Sequence, residues 1–327
     1  MSCSRGTPNQ GRAPILFLEP TPIPLMNRED SAVFDFEKGP VKFIKGGRYP
    51  FCHSVLVDNQ VRAVIDASSD RDRLQAFKDQ GPVDFLINSH AHEDHLVFNY
   101  LFPGSRFCAH PFDAPFFEDI ESLIDCYGEM SEEDKERWKN FLKDDCHYLP
   151  RKVDLFLKDG MVMNLGDLRM EVVHTPGHTR GHCAFYFPHE KVMFTADLDL
   201  TKAGPYYGDR GSDIEETIRS LERLKTFEVE TYLTSHSKGI FDGDPANIDR
   251  YLEIIFLREE KLVDFLRKGP RTLDQVVQEG IIYGEKSIST GPWDLTLSEK
   301  IMMAKHLDRL VRMNRVRLEG DFFILTQ

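Results

Sequence analysis

The octet Asn88-Ser89-His90-Ala91-His92-Glu93-Asp94-His95 constrains this chain more than any other stretch. An apolar lead-in, Val83 with Phe85-Leu86-Ile87, runs straight into it, and Leu96-Val97-Phe98 follows. The pattern predicts a buried strand, a polar loop and the start of a helix. Three of the chain's 12 histidines fall within six residues here. In an extended segment alternate side chains share a face, so His90 and His92 can reach one ion together. The loop then turns and offers Asp94 and His95 to a second position. Imidazole and carboxylate are the ligands that borderline metals such as zinc accept. A solvated turn, or histidines satisfied by core hydrogen bonds, gives no reason for so dense a set of ligand types behind a buried strand.

Other apolar runs end in the same way. Val55-Leu56-Val57, a turn at Asp58-Asn59 and the run 61–65 read as a β-hairpin that closes at Asp66. That aspartate either caps the helix expected over 70–77 or orients the histidine loop from behind. The strand-like run 168–173 leads into His174-Thr175-Pro176-Gly177-His178-Thr179-Arg180-Gly181-His182, where Pro and Gly force a tight turn that projects His178. Val192–Phe194 delivers Ala196-Asp197, and Thr231–Leu233 delivers Ser235-His236. Four strand ends thus present, in order, the octet, His178, Asp197 and His236.

The remainder of the chain frames that signal. A length of 327 residues, 41% hydrophobic and 29% charged, is that of an ordinary soluble protein with one large and one small domain, or two medium ones. No run of about 18 apolar residues exists, so no membrane span is expected. Residues 1–14 lack an apolar stretch and read as a flexible tail rather than an export signal. The six scattered cysteines form no Cys-x-x-Cys pair, which favours reduced thiols and a cytoplasmic setting. A net charge of −13 argues against broad affinity for nucleic acid. From Pro245 onward 13 basic and 13 acidic residues balance, so the acid excess lies before that point.

Residues 15–43 read as a Pro-rich wrap before the first sheet, within a catalytic domain over 15–244. Residues 112–149 read as helical, with a capping pattern at Ser131-Glu132-Glu133-Asp134; lying between two groups of candidate ligands, they form either a lid or a surface excursion. From 245 to 327 the texture changes. Helices over 248–266, 272–277 and 298–313 precede a hairpin around Glu319-Gly320-Asp321, the pattern of a winged helix. With its charges balanced, packing or homodimerisation is favoured for it over DNA binding.

The set Asp66, His90-x-His92-x-Asp94-His95, His178, Asp197 and His236 resembles the five-motif signature of the metallo-β-lactamase superfamily, over roughly residues 55–237. The resemblance implies a four-layer αββα sandwich with the site along one edge of its sheets. It also implies two divalent metal ions, with zinc first and iron or manganese as alternatives. His90, His92 and His178 would hold one ion, Asp94, His95 and His236 the other, and Asp197 would bridge both. A hydroxide shared by the ions would attack the substrate, with Asp94 orienting it or moving its proton. Asp66 would support the loop from behind. Thr175-Pro176-Gly177-His178-Thr179-x-Gly181-His182 resembles the hydroxyacyl-thioester hydrolase pattern, a motif that also occurs in persulfide dioxygenases. The C-terminal part resembles the winged-helix appendage of β-lactamase-like hydrolases, on Met303-x-x-His306-Leu307-x-x-Leu310.

The expected function is hydrolysis of a small thioester, ester or lactone. A phosphodiesterase or endoribonuclease is the runner-up, and a metal-retaining sensor without catalysis is the third class. Lys202, Tyr206, Tyr207 and Lys238, in loops after Asp197 and His236, are the candidate substrate contacts. His174 and His182 are expected to support the His178 turn, and His53 and His110 to be structural.

Overall fold

The computed structural model describes residues 34–284 and 295–326; the N-terminal tail 1–14 and the stretch 15–33 lie outside them. The chain is built on two sheets. The first takes, in spatial as in chain order, β1 (Phe36–Lys38), β2 (Val41–Ile44), β3 (Ser54–Val57), β4 (Ala63–Ile65), β5 (Phe85–Ile87), β6 (Arg106–Ala109) and β7 (Leu155–Phe156). The second takes β8 (Val162–Leu165), β9 (Leu168–His174), β10 (Cys183–Phe187), β11 (Val192–Phe194), β12 (Thr231–Leu233) and β13 (Ile240–Asp242), in the order β13-β12-β11-β10-β9-β8. The expected hairpin is β3–β4, paired antiparallel. The wrap expected up to Phe43 is corrected at its end, because β1 and β2 are the outer strands of the first sheet. Their turn, Lys38-Gly39-Pro40, works because Gly39 accepts a φ of +56°.

β3, β4 and β11 are buried along their whole length. Strands with two covered faces read as continuous apolar runs rather than alternating ones. Three packed layers of side chains explain the cover. Between the sheets lie Phe43, Val55, Ile65 and Ile87 from the first, against Val172, Phe185, Phe194 and Leu233 from the second. The outer face of the first sheet (Leu56, Val64, Leu86) packs on α1 (Arg71–Asp79), α2 (Ala114–Glu118), α3 (Ile120–Cys126) and α4 (Glu132–Asp144). The outer face of the second (Val173, Ala184, Met193) packs on α5 (Ile214–Leu224) and the first half of α6 (Ala246–Arg267). This is the four-layer αββα sandwich.

The helix expected to open at Leu96-Val97-Phe98 does not form. Two short 3-10 turns, Glu93–His95 and Asn99–Leu101, stand there instead. All three apolar side chains are buried in the same cluster, so the segment has no solvent face of the kind a surface helix needs.

The second half of α6 leaves the sandwich. With α7 (Leu273–Glu279), α8 (Leu295–Arg312) and the antiparallel pair β14 (Val316–Glu319) and β15 (Phe322–Leu325) it closes a separate small core of Leu262, Leu266, Val276, Met303, Leu307 and Leu310. α7 begins on a reciprocal cap between Thr272 and Gln275 and ends on Gly280 at φ +63°. Among the described residues, no helix is long and apolar enough to cross a membrane.

Candidate metal centre

β5 ends at Ile87, and the backbone of the octet is then locked from three sides. Asn88 Nδ2 donates to the His95 carbonyl at 2.7 Å, closing the loop on itself. Asp66, buried and held at φ +52° behind the loop, accepts from Ser89 N, Ser89 Oγ and His95 Nδ1 at 2.7–2.9 Å. Asp113, at the start of α2, accepts from Ala91 N at 3.2 Å and from Thr179 Oγ1 and Gly181 N at 2.8 Å. It therefore binds the octet to the His178 turn across the two sheets. Gly181 is required there, since a Cβ would lie 2.5 Å from the Asp113 carboxyl.

These supports aim the ring nitrogens inward. His90 Nε2, His92 Nδ1 and His178 Nε2 stand 3.0–3.2 Å from one another, and Asp197 Oδ2 lies 3.4 Å from His178 Nε2 and 3.8 Å from His90 Nε2. Beside them, His236 Nε2 is 3.4 Å from Asp94 Oδ2 and 3.3 Å from Asp197 Oδ1. His95 Nε2 is 2.9 Å from the same Asp197 oxygen and 3.9 Å from Asp94 Oδ1. One carboxylate thus turns one oxygen to each group.

The donor chemistry fits metal ions. Ligands at about 2.0–2.1 Å around a tetrahedral zinc stand roughly 3.3 Å apart, close to the spacing of the first group. His95 Nε2 and Asp197 Oδ1 are buried without a hydrogen-bond partner among the described residues. Orphaned polar atoms of this kind are costly unless something else satisfies them. The ligand atoms of His90, His92, His178 and Asp197, and those of Asp94, His95 and His236, each cluster within 4.8 Å.

The electrostatics of the cluster divide its rings. Burial holds His178 down to about 4 and His90 well below the ordinary imidazole value, which favours neutral, lone-pair-bearing rings. Burial also opposes a charge on His92, but the Asp209 carboxylate outweighs it and raises the ring to about 9. At His236 burial is outweighed by Asp197 and Asp199, and the value rises to about 10. Asp197 is driven well below its usual range: burial opposes this, and His95, His236 and His90 overcome it.

Several supports carry no signal in the local sequence. Asp209 Oδ2 bonds His92 Nε2 at 2.6 Å, so the other nitrogen, Nδ1, is the one turned to the cluster. The buried carboxylate of Glu93 binds the hydroxyls of Tyr49 and Tyr127, and the Tyr127 ring stacks on His92 at 5.7 Å. Tyr127 follows α3, so the helical segment 112–149 does pack on the metal loop. Asp199 Oδ1 accepts from His236 N at 2.9 Å. Asp199 and Asp209 lie two and twelve residues beyond Asp197 in an acid-rich loop, and that proximity is the only hint a sequence offers.

His182 donates from Nδ1 toward Thr175 and accepts from Asp197 N at Nε2, 3.3 Å away. His174 stacks on His110 at 4.1 Å and bonds the Arg180 carbonyl. His53 accepts from Gly46 N at 2.8 Å. Of the four candidate substrate contacts, Tyr206 is half-buried with its ring 5.7 Å from that of His178. Lys202 and Lys238 are exposed, the latter over the Phe241 ring. Tyr207 is fully buried, with its hydroxyl between His306 Nε2 at 2.8 Å and Arg258 at 2.9 Å. Those partners turn it into the core and not toward the cluster.

Comparison with known proteins places this arrangement. A family model described as the metallo-beta-lactamase superfamily matches residues 48–236. A hydroxyacylglutathione hydrolase from Mesorhizobium japonicum is 33% identical over 100 residues, 29% of this chain and 39% of that protein. One from Methylococcus capsulatus is 30% identical over 143 residues, 41% of this chain and 52% of that protein. The chain therefore spans about half the length, or less, of these curated relatives. A metallo-beta-lactamase family protein from Thermus thermophilus has the same fold, with a TM-score of 0.66 at 20% identity over 88% of this chain and 98% of that one.

Proposed function

The chain belongs to the metallo-beta-lactamase superfamily, and from that premise we propose that it is a two-metal hydrolase of a small thioester. His90, His92 and His178 would hold one ion and Asp94, His95 and His236 the other, with Asp197 between them; zinc is the reading favoured by nitrogen-rich ligation. The observation that carries this is the convergence of three imidazole nitrogens to 3.0–3.2 Å of one another, with an Asp197 oxygen beside them, a spacing that suits ligands around one tetrahedral ion. Bound there, the pair of ions would supply a hydroxide at neutral pH and polarise the substrate carbonyl.

The side chains divide the remaining work. Asp197 would offset the charge of the ions. Asp94, with one oxygen 3.4 Å from His236 Nε2 and the other 3.9 Å from His95 Nε2, would take the proton released as the attack proceeds and pass it to the departing thiolate. Tyr206, with its ring 5.7 Å from that of His178, and the exposed lysines Lys202 and Lys238 would meet the substrate's acyl and carboxylate parts. The thioester is preferred to an ester or lactone because curated relatives similar to part of this chain carry the name hydroxyacylglutathione hydrolase. We read 245–327 as a winged-helix-like module serving packing rather than nucleic acid, in keeping with its balanced charge.

The test is a turnover panel on zinc-loaded protein: S-acyl glutathiones, acyl-coenzyme A thioesters, aryl esters, lactones and single-stranded RNA. Hydrolysis of a thioester, abolished by Asp197→Ala and by chelation, is the expected result. Cleavage of RNA alone, or turnover indifferent to chelation, overturns the assignment.

A further inference from the structure

Two of the three imidazoles in the first metal group lean on one loop. The carbonyl of Tyr206 accepts from His178 Nδ1 at 3.0 Å, and the carboxylate of Asp209 accepts from His92 Nε2 at 2.6 Å. Each contact fixes which nitrogen carries the proton, and so which nitrogen is left to bind metal. The outer side of the same loop is gripped by α6 and α8. Arg258 of α6, 6% exposed, donates to the carbonyls of Ala203 and Pro205 at 2.6 Å and to the Tyr207 hydroxyl at 2.9 Å. His306 of α8 meets that hydroxyl at 2.8 Å. Lys305 of α8 spends its ammonium on the Asp209 carbonyl at 2.5 Å and on the Ser212 carbonyl and hydroxyl at 2.5 and 2.7 Å.

The second group has no such link to α8 among the described residues; α6 reaches it through Tyr251, whose hydroxyl lies 3.3 Å from Asp199 N and from the Asp197 carbonyl. Its His95 rests on Asp66, and the backbone of its His236 on Asp199, both within the sandwich. Lys305 is half-buried, and burying an ammonium is costly unless its donors are satisfied; among the described residues it makes no ion pair, and its donors go to the one loop that carries both histidine partners.

We propose that Lys305 is a positioning residue for the metal held by His90, His92 and His178, acting from the C-terminal helices through loop 203–212. The inference rests on the two-ion reading above, and it assigns the C-terminal region a task in the hydrolytic site. Loosening the loop lets the Asp209 carboxylate drift from His92, and the ring loses the partner that holds Nδ1 toward the ion. Supports of this kind are worth about 10–100-fold in metal affinity.

The experiment compares full-length wild type and Lys305→Met, both zinc-loaded, in a titration with a competing chelator followed by metal analysis. One of the two zinc equivalents is expected to be released at roughly 10–100-fold lower chelator strength, with the other unmoved. Release unchanged, or both equivalents loosened alike, overturns the proposal. A second readout is the His92 Nε2 proton in 15N-edited spectra of the zinc-loaded protein, which should exchange with water faster in the variant. Should wild type bind a single zinc, the two-ion reading fails, and this proton alone decides: unchanged exchange overturns the positioning role. If Lys305→Met does not fold, Lys305→Gln, which keeps one donor pair, is expected to shift the same single equivalent by a smaller factor, and no shift overturns the proposal.

Discussion

Asp113 ties two loops of the centre together without being a candidate ligand. Fully buried, it satisfies two backbone amides and a hydroxyl that belong to different loops. Burial raises its pKa from the ordinary carboxylate value, and those three bonds pull it back. Replacing it by Ala leaves buried amides at Ala91 and Gly181 unpaired, each costing about 1–3 kcal/mol. Asp113→Ala is therefore expected to lower stability by about 2–5 kcal/mol in denaturant unfolding, and to lower metal affinity with it. Unchanged unfolding would mean the two loops hold their places without this tie.

At the same scale, the stacked pair His110 and His174 sets a pH limit. Burial, then the neighbouring His174, holds His110 down to about 4. An unfolded histidine takes its proton near 6.5. Between those values the unfolded chain binds more protons than the folded one, so stability falls as pH drops from about 6.5 to about 4. His110→Asn should flatten that limb of the stability profile, with little change above pH 7. A limb as steep as in wild type would place its origin elsewhere.

Among the elements, the tight turn after β9 is the most sharply specified. Gly177 has φ +133°, and a Cβ there would lie 2.3 Å from the backbone nitrogen of Thr217 in α5. The close approach lets Asp213, the N-cap of α5, donate its own backbone N–H to the Gly177 carbonyl at 2.9 Å. Gly177→Ala must push α5 away or reshape the turn that presents His178. Loss of bound metal together with a fall in Tm of several degrees is expected in calorimetry and metal analysis. A variant retaining both would show that the turn tolerates the displacement. The 3-10 turns beside the octet make the complementary point: Phe98 N donates to the Ala67 carbonyl at 2.8 Å, and the chain runs as the core dictates rather than as a helix.

For the whole molecule, the sandwich holds its ligand set by hydrogen bonds among the side chains themselves and by two apolar layers that do not include the histidines. Metal removal should leave the secondary structure intact and lower the melting temperature by an amount that grows with free metal. A ligand at 100 times its dissociation constant contributes about 2.7 kcal/mol. Circular dichroism and calorimetry with and without chelator check this. Collapse of the helical signal on chelation would make the ions part of the fold.

The sequence by itself determined the chemistry of the centre and much of the scaffold. His90, His92, Asp94, His95, His178, Asp197 and His236 stand out as candidates because they lie in loops entered from short apolar strands, and strand ends are where side chains of a sandwich edge can meet. The β3–β4 hairpin, α5, α6 and the capped α7 were equally plain from periodicity and caps. β7 lies within the strand-like run 153–157, whereas β8, with four residues of alternating burial, carries too little pattern to stand out. Only the tertiary structure decided which carboxylate stands behind which imidazole. Asp209 meets His92 across 117 positions of chain, and Asp113 meets Gly181 across 68. Tyr207 illustrates the same limit, since a loop next to Asp197 suggests an open site while packing against α6 and α8 buries it. Local sequence records the direction in which a side chain leaves its strand; partners separated by whole elements are chosen by how the layers pack, and packing is a property of the assembled chain.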